Sequence, residues 1–156
     1  MLSGLRDHGL KLTLQRLAIV RELARDVTHP TAQELFDRLS PTLPTMSFAT
    51  VYNTLGALAA AGLCEPKAFG PGAVRFDPNT QPHHHAICDR CGVVADIPVT
   101  RSQQARAGAP VLGFSVRSVE RIYRGVCAAC RVRSAGRRAR RSSPRRTGLD
   151  GSAAPT

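Results

Sequence analysis

Apolar residues recur at helical spacing in two segments near the start of the chain. The first segment follows Thr13, a residue suited to cap a helix, and its apolar positions are Leu17, Ile19, Val20, Leu23 and Val27. The second, "AQELFDRL", follows Thr31, and Glu34 three residues later completes a capping box. The pattern predicts two amphipathic helices joined by a short loop.

A third apolar stripe lies in "FATVYNTLGALAAAG", and its members are Val51, Leu55, Leu58 and Ala59. Ser47 precedes this helix as its predicted cap, and Gly62 follows as its stop. Two strand-like runs, "LCEPKAF" and "AVRFD", then flank the turn "GPG", and Pro66 restricts the first run to a sheet edge. Three helices and a hairpin are the order of a winged helix-turn-helix domain. A small helical domain with an added hairpin is the plainer alternative.

The net charge is unevenly distributed along the 156 residues. A formal charge of +11 makes a polyanion the first partner to consider. Eight of the 22 Lys and Arg residues lie from Arg131 onward, where Asp150 is the one acid. That segment has no apolar periodicity, so we predict a disordered basic tail over residues 132–156.

The chain shows no sign of export or of a membrane segment. Its first residues, "MLSGLRDHGLK", lack the apolar run of a secretion signal, and the uncharged run 39–64 is interrupted by prolines and polar residues. We therefore expect a cytoplasmic protein. In a reducing compartment, cysteines at paired spacing favour metal binding over disulfides.

Four of the five cysteines form two C-x2-C pairs, Cys88 with Cys91 and Cys127 with Cys130. Each pair can present two thiolates to one ion, and two pairs complete a tetrahedral zinc site. The 35 residues between the pairs require a subdomain there. The alternative is four unligated buried thiols. Cys64 stands alone and is predicted to be a core residue.

Three consecutive histidines precede the first cysteine pair. Alternate side chains of a strand share a face, so His83 and His85 point one way and His84 the other. A histidine pair on one face can hold an ion together with nearby polar residues. Candidates for that role are Asp77, Asp96 and His29, the last in the loop "THPT", which we expect to be exposed. Solvated polar side chains are the alternative.

A zinc enzyme is the alternative from another functional class. A nucleobase deaminase needs an H-x-E motif and a proline before the first cysteine of its C-x2-C pair. Here residues 85–87 read "HAI", and Ile87 precedes Cys88. The general acid/base is therefore missing, and the sequence predicts that the protein is not an enzyme.

Five motifs together resemble the ferric uptake regulator family: "HPTAQELFDRL", "SFATVYNTL", "RFD", "HHHAICDRCG" and "GVCAAC". The match extends roughly from Leu10 to Cys130. It implies an α+β protein with a winged helix-turn-helix domain at 1–78, a hinge near 77–83 and a small α/β dimerisation domain at 79–131. It also implies a homodimer that binds A·T-rich inverted repeats of double-stranded DNA, usually as a repressor. The four-cysteine zinc site belongs to the dimerisation domain.

The resemblance also implies a regulatory metal between the two domains. Its ligand positions match His29, Asp77, His83, His85 and Asp96. Two aspartates resemble the peroxide-sensing branch, and three nitrogens with two oxygens suit Fe(II) or Mn(II), with a sixth position left open. In that branch, peroxide reacting at bound iron oxidises a ligand histidine, here His29 or His83, and DNA is released. An iron, manganese or zinc uptake regulator of the same family is the nearest alternative.

One departure from the family concerns an additional metal site. Many members have a histidine eight residues before the third cysteine, where this chain has Val119. We therefore predict that the additional site is absent and that His84 faces solvent.

The predicted third helix, residues 47–62, contains no Lys or Arg. Residues predicted to face a DNA groove are Thr50, Tyr52, Asn53 and Thr54. Tyr52 matches the family's base-reading tyrosine and suits thymine methyl groups, whereas the Asn53 amide suits adenine. Phosphate contacts are expected from basic residues elsewhere, namely Lys11, Arg16, Lys67 and Arg75.

Overall fold

The computed structural model describes residues 11–100, 110–111, 113–116 and 119–133. The described residues begin with three helices: α1 (Leu14–Arg25), α2 (Ala32–Leu39) and α3 (Phe48–Ala60). Thr13 and Ser47 each accept a hydrogen bond from the backbone N–H three residues later. Thr31 and Glu34 form both hydrogen bonds of the capping box. Gly62, with φ of +66°, follows the end of α3. All five predicted boundary residues are confirmed.

The three helices share one apolar core. Its fully buried members are Ile19, Val20, Leu23, Leu35, Val51, Leu55 and Leu58. Cys64 joins this core, as predicted. The prediction that Val27 continues the stripe of α1 was wrong, because the Asp26 carboxylate accepts hydrogen bonds from the backbone and hydroxyl of Thr28. This local turn ends the helix and leaves Val27 exposed.

A two-stranded antiparallel wing follows α3. Its strands are β1 (Glu65–Lys67) and β2 (Arg75–Asp77), and Pro66 lies opposite Phe76. The N–H of Phe76 also donates to the carbonyl of Pro30 at 2.9 Å. The wing therefore lies against the loop that precedes α2, and His29 in that loop comes close to the end of β2.

The second part of the chain contains a three-stranded sheet in which one strand lies between the other two. Strand β3 (His83–Cys88) pairs antiparallel with β4 (Val94–Pro98) and parallel with β7 (Ile122–Gly125). A separate hairpin joins β5 (Pro110–Val111) to β6 (Phe114–Ser115). Residues 128–133 are helical. The predicted α+β class is confirmed.

Few apolar side chains are buried in this second part. Among its described residues, Ile87 and Val94 are buried together with Cys88 and Cys130. Large apolar residues that remain exposed there are Val93, Phe114, Val119, Ile122, Tyr123, Val126 and Val132. The described side chains of this part therefore form only a small apolar core.

The predicted basic tail overlaps the last helical segment. Residues 132 and 133 are helical, and the Arg133 guanidinium donates to Cys130 Sγ at 2.8 Å. The remainder of the predicted tail, residues 134–156, lies outside the described residues. Within the described ranges, no helix is long and apolar enough to cross a membrane.

Candidate metal centres

Five side chains from both parts of the chain converge on one point. They are His29 from the loop before α2, Asp77 from the end of β2, His83 and His85 from β3, and Asp96 from β4. One ligand atom from each lies within 4.8 Å of all the others. The strand parity that paired His83 with His85 is thus confirmed, and the structure brings together all five predicted residues.

The separations inside this cluster match those around a bound ion. His83 Nε2 lies 2.9 Å from His85 Nε2 and 2.9 Å from Asp77 Oδ2, and His29 Nε2 lies 2.8 Å from Asp96 Oδ1. Metal–ligand bonds of about 2.1 Å at right angles separate neighbouring ligand atoms by about 3 Å. The arrangement therefore has the dimensions of a metal site.

Hydrogen bonds on the far side of two imidazoles orient their free nitrogens. His83 Nδ1 lies 2.6 Å from the carbonyl of Gln81, and His85 Nδ1 lies 2.7 Å from Glu120 Oε1. Both partners only accept, so each neutral ring donates from Nδ1 and keeps a lone pair on Nε2. In this tautomer the two lone pairs and Asp77 Oδ2 face one another within 3.1 Å. Such a group of acceptors fits a divalent cation.

His29 contradicts the expected exposure, since only 1% of its surface is accessible. Its φ is +56°, a left-handed conformation that is uncommon for a residue other than glycine, and such outliers concentrate at functional sites. Arg75 donates to the carbonyl of His29 at 2.9 Å, and the rings of Phe69 and His85 pack beside the imidazole. Neither ring nitrogen makes a hydrogen bond to another described residue. The ring is therefore held in place with its nitrogens available.

The two carboxylates of the cluster differ in exposure. Asp77 is fully buried, and burial raises the pKa of its carboxyl. The nearby His29 imidazole, the backbone N–H of Asn79 and the His83 imidazole outweigh burial and lower that pKa to about 2. The Asp96 side chain is 36% exposed and accepts from the Asn79 amide at 2.9 Å. Asp77 is thus a permanent anion inside the site, and Asp96 forms the edge that faces solvent.

The four paired cysteines form a separate cluster. Their sulfurs all lie within 4.8 Å of one another, and Cys91 Sγ is 3.8 Å from Cys127 Sγ. A tetrahedron with zinc–sulfur bonds of about 2.3 Å has edges of about 3.8 Å. The four-cysteine arrangement predicted from the spacing is therefore present with dimensions that fit zinc.

The thiols of this cluster differ in acidity. Backbone N–H groups of Cys127, Cys91 and Arg90 donate to Cys88 Sγ and lower the pKa of that thiol to about 6. At Cys91 the N–H of Val93 lowers the pKa, but the neighbouring sulfurs raise it to about 11 overall. Four thiolates so close together need a cation to be ionised together, which is what a bound zinc provides.

The chain is similar in sequence to known proteins. The sequence model of the ferric uptake regulator family matches residues 7–121. The chain belongs to this family. The peroxide-responsive repressor PerR of Staphylococcus aureus is 36% identical over 130 residues, which cover 83% of this chain and 88% of that relative.

Solved structures of the ferric uptake regulator family are also similar to this chain. The ferric uptake regulator of Vibrio cholerae is 29% identical, with a TM-score of 0.63 over 80% of this chain and 98% of that chain. The ferric uptake regulator of Pseudomonas aeruginosa with manganese is 26% identical, with a TM-score of 0.65 over 81% and 96%. The resemblance recognised from the motifs is thus confirmed.

The prediction that His84 faces solvent was wrong for this member of the ferric uptake regulator family. His84 is 1% exposed, its Nδ1 accepts a hydrogen bond from the backbone N–H of Arg121, and its ring lies near Tyr123. The opposite face of β3 is therefore also covered. Val119 is exposed and supplies no ligand.

The exposed surface of α3 only partly matches the predicted reading residues. Tyr52 is 58% exposed and Asn53 is exposed, whereas Thr50 is half-buried. The prediction that Thr54 faces a DNA groove was wrong. Thr54 is 2% exposed, and its hydroxyl donates to the carbonyl of Thr50 at 2.7 Å. Thr54 lies on the core face of the helix with Val51 and cannot face a groove.

The basic residues expected at phosphates fall into two groups. Lys11 is exposed, and Arg16 is half-buried and donates to the carbonyl of Lys11. Lys67 is instead paired with Glu65 and Glu120. Arg75 pairs with Glu34 in addition to its bond to His29. These wing cations serve contacts within the protein, which the sequence pattern did not reveal.

Three residues around the five-ligand cluster were not predicted. They are Asn79, Gln81 and Glu120. Asn79 follows Asp77 by two residues, a spacing that favours the local turn that the Asp77 carboxylate makes with the Asn79 N–H. Glu120 lies 35 residues from its partner His85, and no spacing rule connects the two.

Proposed function

We propose that the chain is a metal-dependent, DNA-binding repressor that responds to peroxide. It would hold a structural zinc at Cys88, Cys91, Cys127 and Cys130, and Fe(II) or Mn(II) at the five-ligand cluster. The observation that carries this proposal is the composition of that cluster: three imidazoles and two carboxylates drawn from both parts of the chain. The identity to a peroxide-responsive repressor supports the choice within the family.

The two ligand sets favour different metals. The cluster that contains His29 and Asp77 has only nitrogen and oxygen donors, a set that suits Fe(II) and Mn(II). The cysteine cluster has four sulfurs at tetrahedral separations, which suits zinc. Because the thiols are engaged in their own cluster, the response to peroxide would fall on the histidines.

Metal binding would control the angle between two domains. We place the DNA-binding domain at 1–78, the hinge at 77–83 and the dimerisation domain at 79–131. His29 belongs to the first, Asp77 to the hinge, and His85 and Asp96 to the last, so one ion bonded to all of them would fix the relative orientation of the domains. In a dimer that orientation sets the separation of the two α3 helices, which must match half-sites on DNA. The metal then acts as an effector that favours the DNA-competent state.

Peroxide would reach this cluster at Asp96, its partly exposed ligand. Bound Fe(II) would supply the reducing chemistry that turns peroxide into an oxidant at the site. Asp96 forms the exposed edge, and Asn79 holds its carboxylate in place. His29 and His83 lie directly behind this edge, with Nε2 atoms 2.8 and 3.8 Å from Asp96 Oδ1. Oxidation of either ring would remove a ligand and loosen the link between the domains.

The DNA-reading surface would be the exposed side of α3. Tyr52 and Asn53 would supply base contacts, and Lys11 and Arg16 at the start of α1 would contact phosphates. The exposed apolar residues of β7, Ile122 and Tyr123, support a second copy of the chain as partner. A homodimer would recognise an A·T-rich inverted repeat of double-stranded DNA.

The decisive experiment measures DNA release by peroxide with two metals side by side. Zinc-loaded dimer is supplied with Fe(II) or Mn(II), bound to operator-containing DNA and treated with peroxide. The iron-loaded protein should release DNA and carry one added oxygen on the peptide that contains His29 or His83, whereas the manganese-loaded protein should stay bound. Oxidation confined to cysteines would refute the proposal. Retention of DNA with both metals would instead identify a metal-uptake regulator.

A further inference from the structure

A chain of side-chain contacts leads from the metal-ligand cluster to the wing. Glu120, in the segment that precedes β7, uses both carboxylate oxygens. Oε1 lies 2.7 Å from His85 Nδ1, and Oε2 lies 3.0 Å from the Lys67 ammonium of β1. Lys67 also pairs with Glu65 at 2.8 Å. We propose that Glu120 is a positioning residue that orients His85 for the metal and, through Lys67, ties this ligand to the wing.

The first half of this proposal follows from what a carboxylate can accept. Glu120 can only accept from His85, so the ring keeps its hydrogen on Nδ1 and directs the lone pair of Nε2 into the cluster. His85 is fully buried, so in the folded chain its Nδ1 contacts Glu120 rather than solvent. A carboxylate behind a metal-ligating histidine fixes the ring and raises its basicity, and loss of such a partner typically weakens metal binding by about 10–100-fold.

The second half follows from where Lys67 lies. Lys67 belongs to the wing, 53 residues from Glu120 in sequence, and about four fifths of its side chain is buried. By contrast, Nδ1 of His83 is held by the carbonyl of Gln81, two residues away in the same segment. A shift of the wing would therefore reach His85 through Lys67 and Glu120, whereas His83 has no such connection on its Nδ1 side.

This inference rests on the proposed function, because it assigns a metal to the cluster. Mn(II) is the probe, and binding is measured by electron paramagnetic resonance of the zinc-loaded dimer. Glu120→Ala should bind Mn(II) about 10–100-fold more weakly than wild type while keeping its zinc and its dimer. Glu65→Ala is the matched control, because it removes the other carboxylate from Lys67 without touching His85. It should bind Mn(II) within about twofold of wild type.

A double-mutant cycle tests the connection through Lys67. Lys67→Met should weaken Mn(II) binding in the wild-type background and have less than about a twofold effect when Glu120 is already Ala. Equal effects of Lys67→Met in both backgrounds would overturn the tie to the wing. An unchanged Mn(II) affinity of Glu120→Ala, or an equal loss in Glu65→Ala, would overturn the positioning role.

The orientation of His85 can also be read without the probe metal. Nitrogen-15 spectra of the histidines in zinc-loaded, Mn(II)-free protein should show His85 with its hydrogen on Nδ1. In Glu120→Ala a mixture of the two neutral forms should appear, and in Glu120→Gln the amide oxygen should restore the wild-type form. Identical spectra in all three proteins would overturn the inference. A wild-type protein that binds no Mn(II) would refute the proposed function, and these spectra would still decide the role of Glu120.

Discussion

His83 and His85 lie two residues apart on β3, and their Nε2 atoms are 2.9 Å from each other. Both nitrogens also lie within 3.1 Å of Asp77 Oδ2. Replacing His83 by Ala removes one ligand and leaves the cysteine cluster intact. We expect zinc content to be unchanged and Mn(II) affinity to fall by more than the ~10–100-fold typical of an outer partner. Metal analysis and a Mn(II) titration measure the two quantities.

His84→Ala is the matched control for that variant. His84 occupies the opposite face of the same strand and is buried, so its loss tests packing rather than ligation. Zinc-loaded His84→Ala should retain Mn(II) binding. Equal losses in the two variants would contradict the assignment of His83 as a ligand.

The cysteine cluster predicts a dependence of the dimer on zinc. Cys127→Ser replaces one of four sulfurs, and we expect loss of the tightly bound zinc together with the stable dimer. Cys64→Ala is the comparison, because Cys64 lies in the helical core away from the cysteine cluster. The Cys64→Ala protein should keep its zinc and its dimer. Metal analysis measures the zinc content of each protein, and sedimentation measures whether it is a dimer. A Cys127→Ser protein that stays dimeric with full zinc would rule out the four-cysteine site.

Tyr52 is predicted to read sequence rather than charge. Its ring is exposed on a helix without Lys or Arg, so Tyr52→Ala should weaken operator binding by ~10–100-fold and leave the salt dependence nearly unchanged. Thr54→Val is the control, because the Thr54 hydroxyl bonds only within α3 in the described structure and should not affect DNA. Titrating operator DNA and random DNA with each protein distinguishes a loss of sequence reading from a general loss of DNA affinity. Equal losses on the two DNAs would remove the reading role.

The arginine-rich end of the chain is predicted to add affinity that does not depend on sequence. Residues 134–156 contain six arginines and one acid. Each phosphate that they neutralise adds about −0.9 to the slope of log K against log salt, so engagement of three would steepen it by about 2 to 3 per chain. Deleting 134–156 should make the slope shallower by that amount and preserve the metal response. Identical slopes would show that this segment takes no part.

Core packing predicts where the helical part is sensitive to substitution. Leu55→Ala should lower the free energy of unfolding by ~2–5 kcal/mol, because Leu55 is fully buried between the helices. Leu14→Ala should change it by less than about 0.5 kcal/mol, because Leu14 is 82% exposed. Chemical denaturation of the zinc-loaded proteins gives both values. Similar losses would mean that the core is not where the structure places it.

The two strand histidines and the four cysteines were predictable because strand alternation and cysteine spacing are local rules, whereas His29, Asp77 and Asp96 were assigned as ligands through the family resemblance. His83 and His85 had to share a face once β3 was recognised, and the two C-x2-C pairs specified four sulfurs. The boundaries of α1, α2 and α3 were equally accessible, since Thr13, Thr31 and Ser47 satisfy backbone N–H groups next to them in sequence.

The errors arose where a polar side chain is buried. Helical spacing places Thr54 on the core face, three residues after Val51 and four before Leu58, but its polar hydroxyl was expected to face outward; the hydroxyl is satisfied within its own helix. His84 and His29 are covered by segments far away in sequence, among them Arg121 and Phe69. Glu120 was missed for the same reason, because its role depends on a contact that only the folded chain creates.

The small apolar core of the second part links the protein to zinc supply in the cell. Among the described residues of this part, Ile87 and Val94 are the apolar side chains buried beside the cysteines, so bound zinc would supply a large share of the free energy that keeps it folded. A newly synthesised chain that lacks zinc would populate unfolded forms that proteases degrade. We therefore expect cellular zinc to set how many copies survive synthesis, a limit on abundance that acts before peroxide or DNA is encountered.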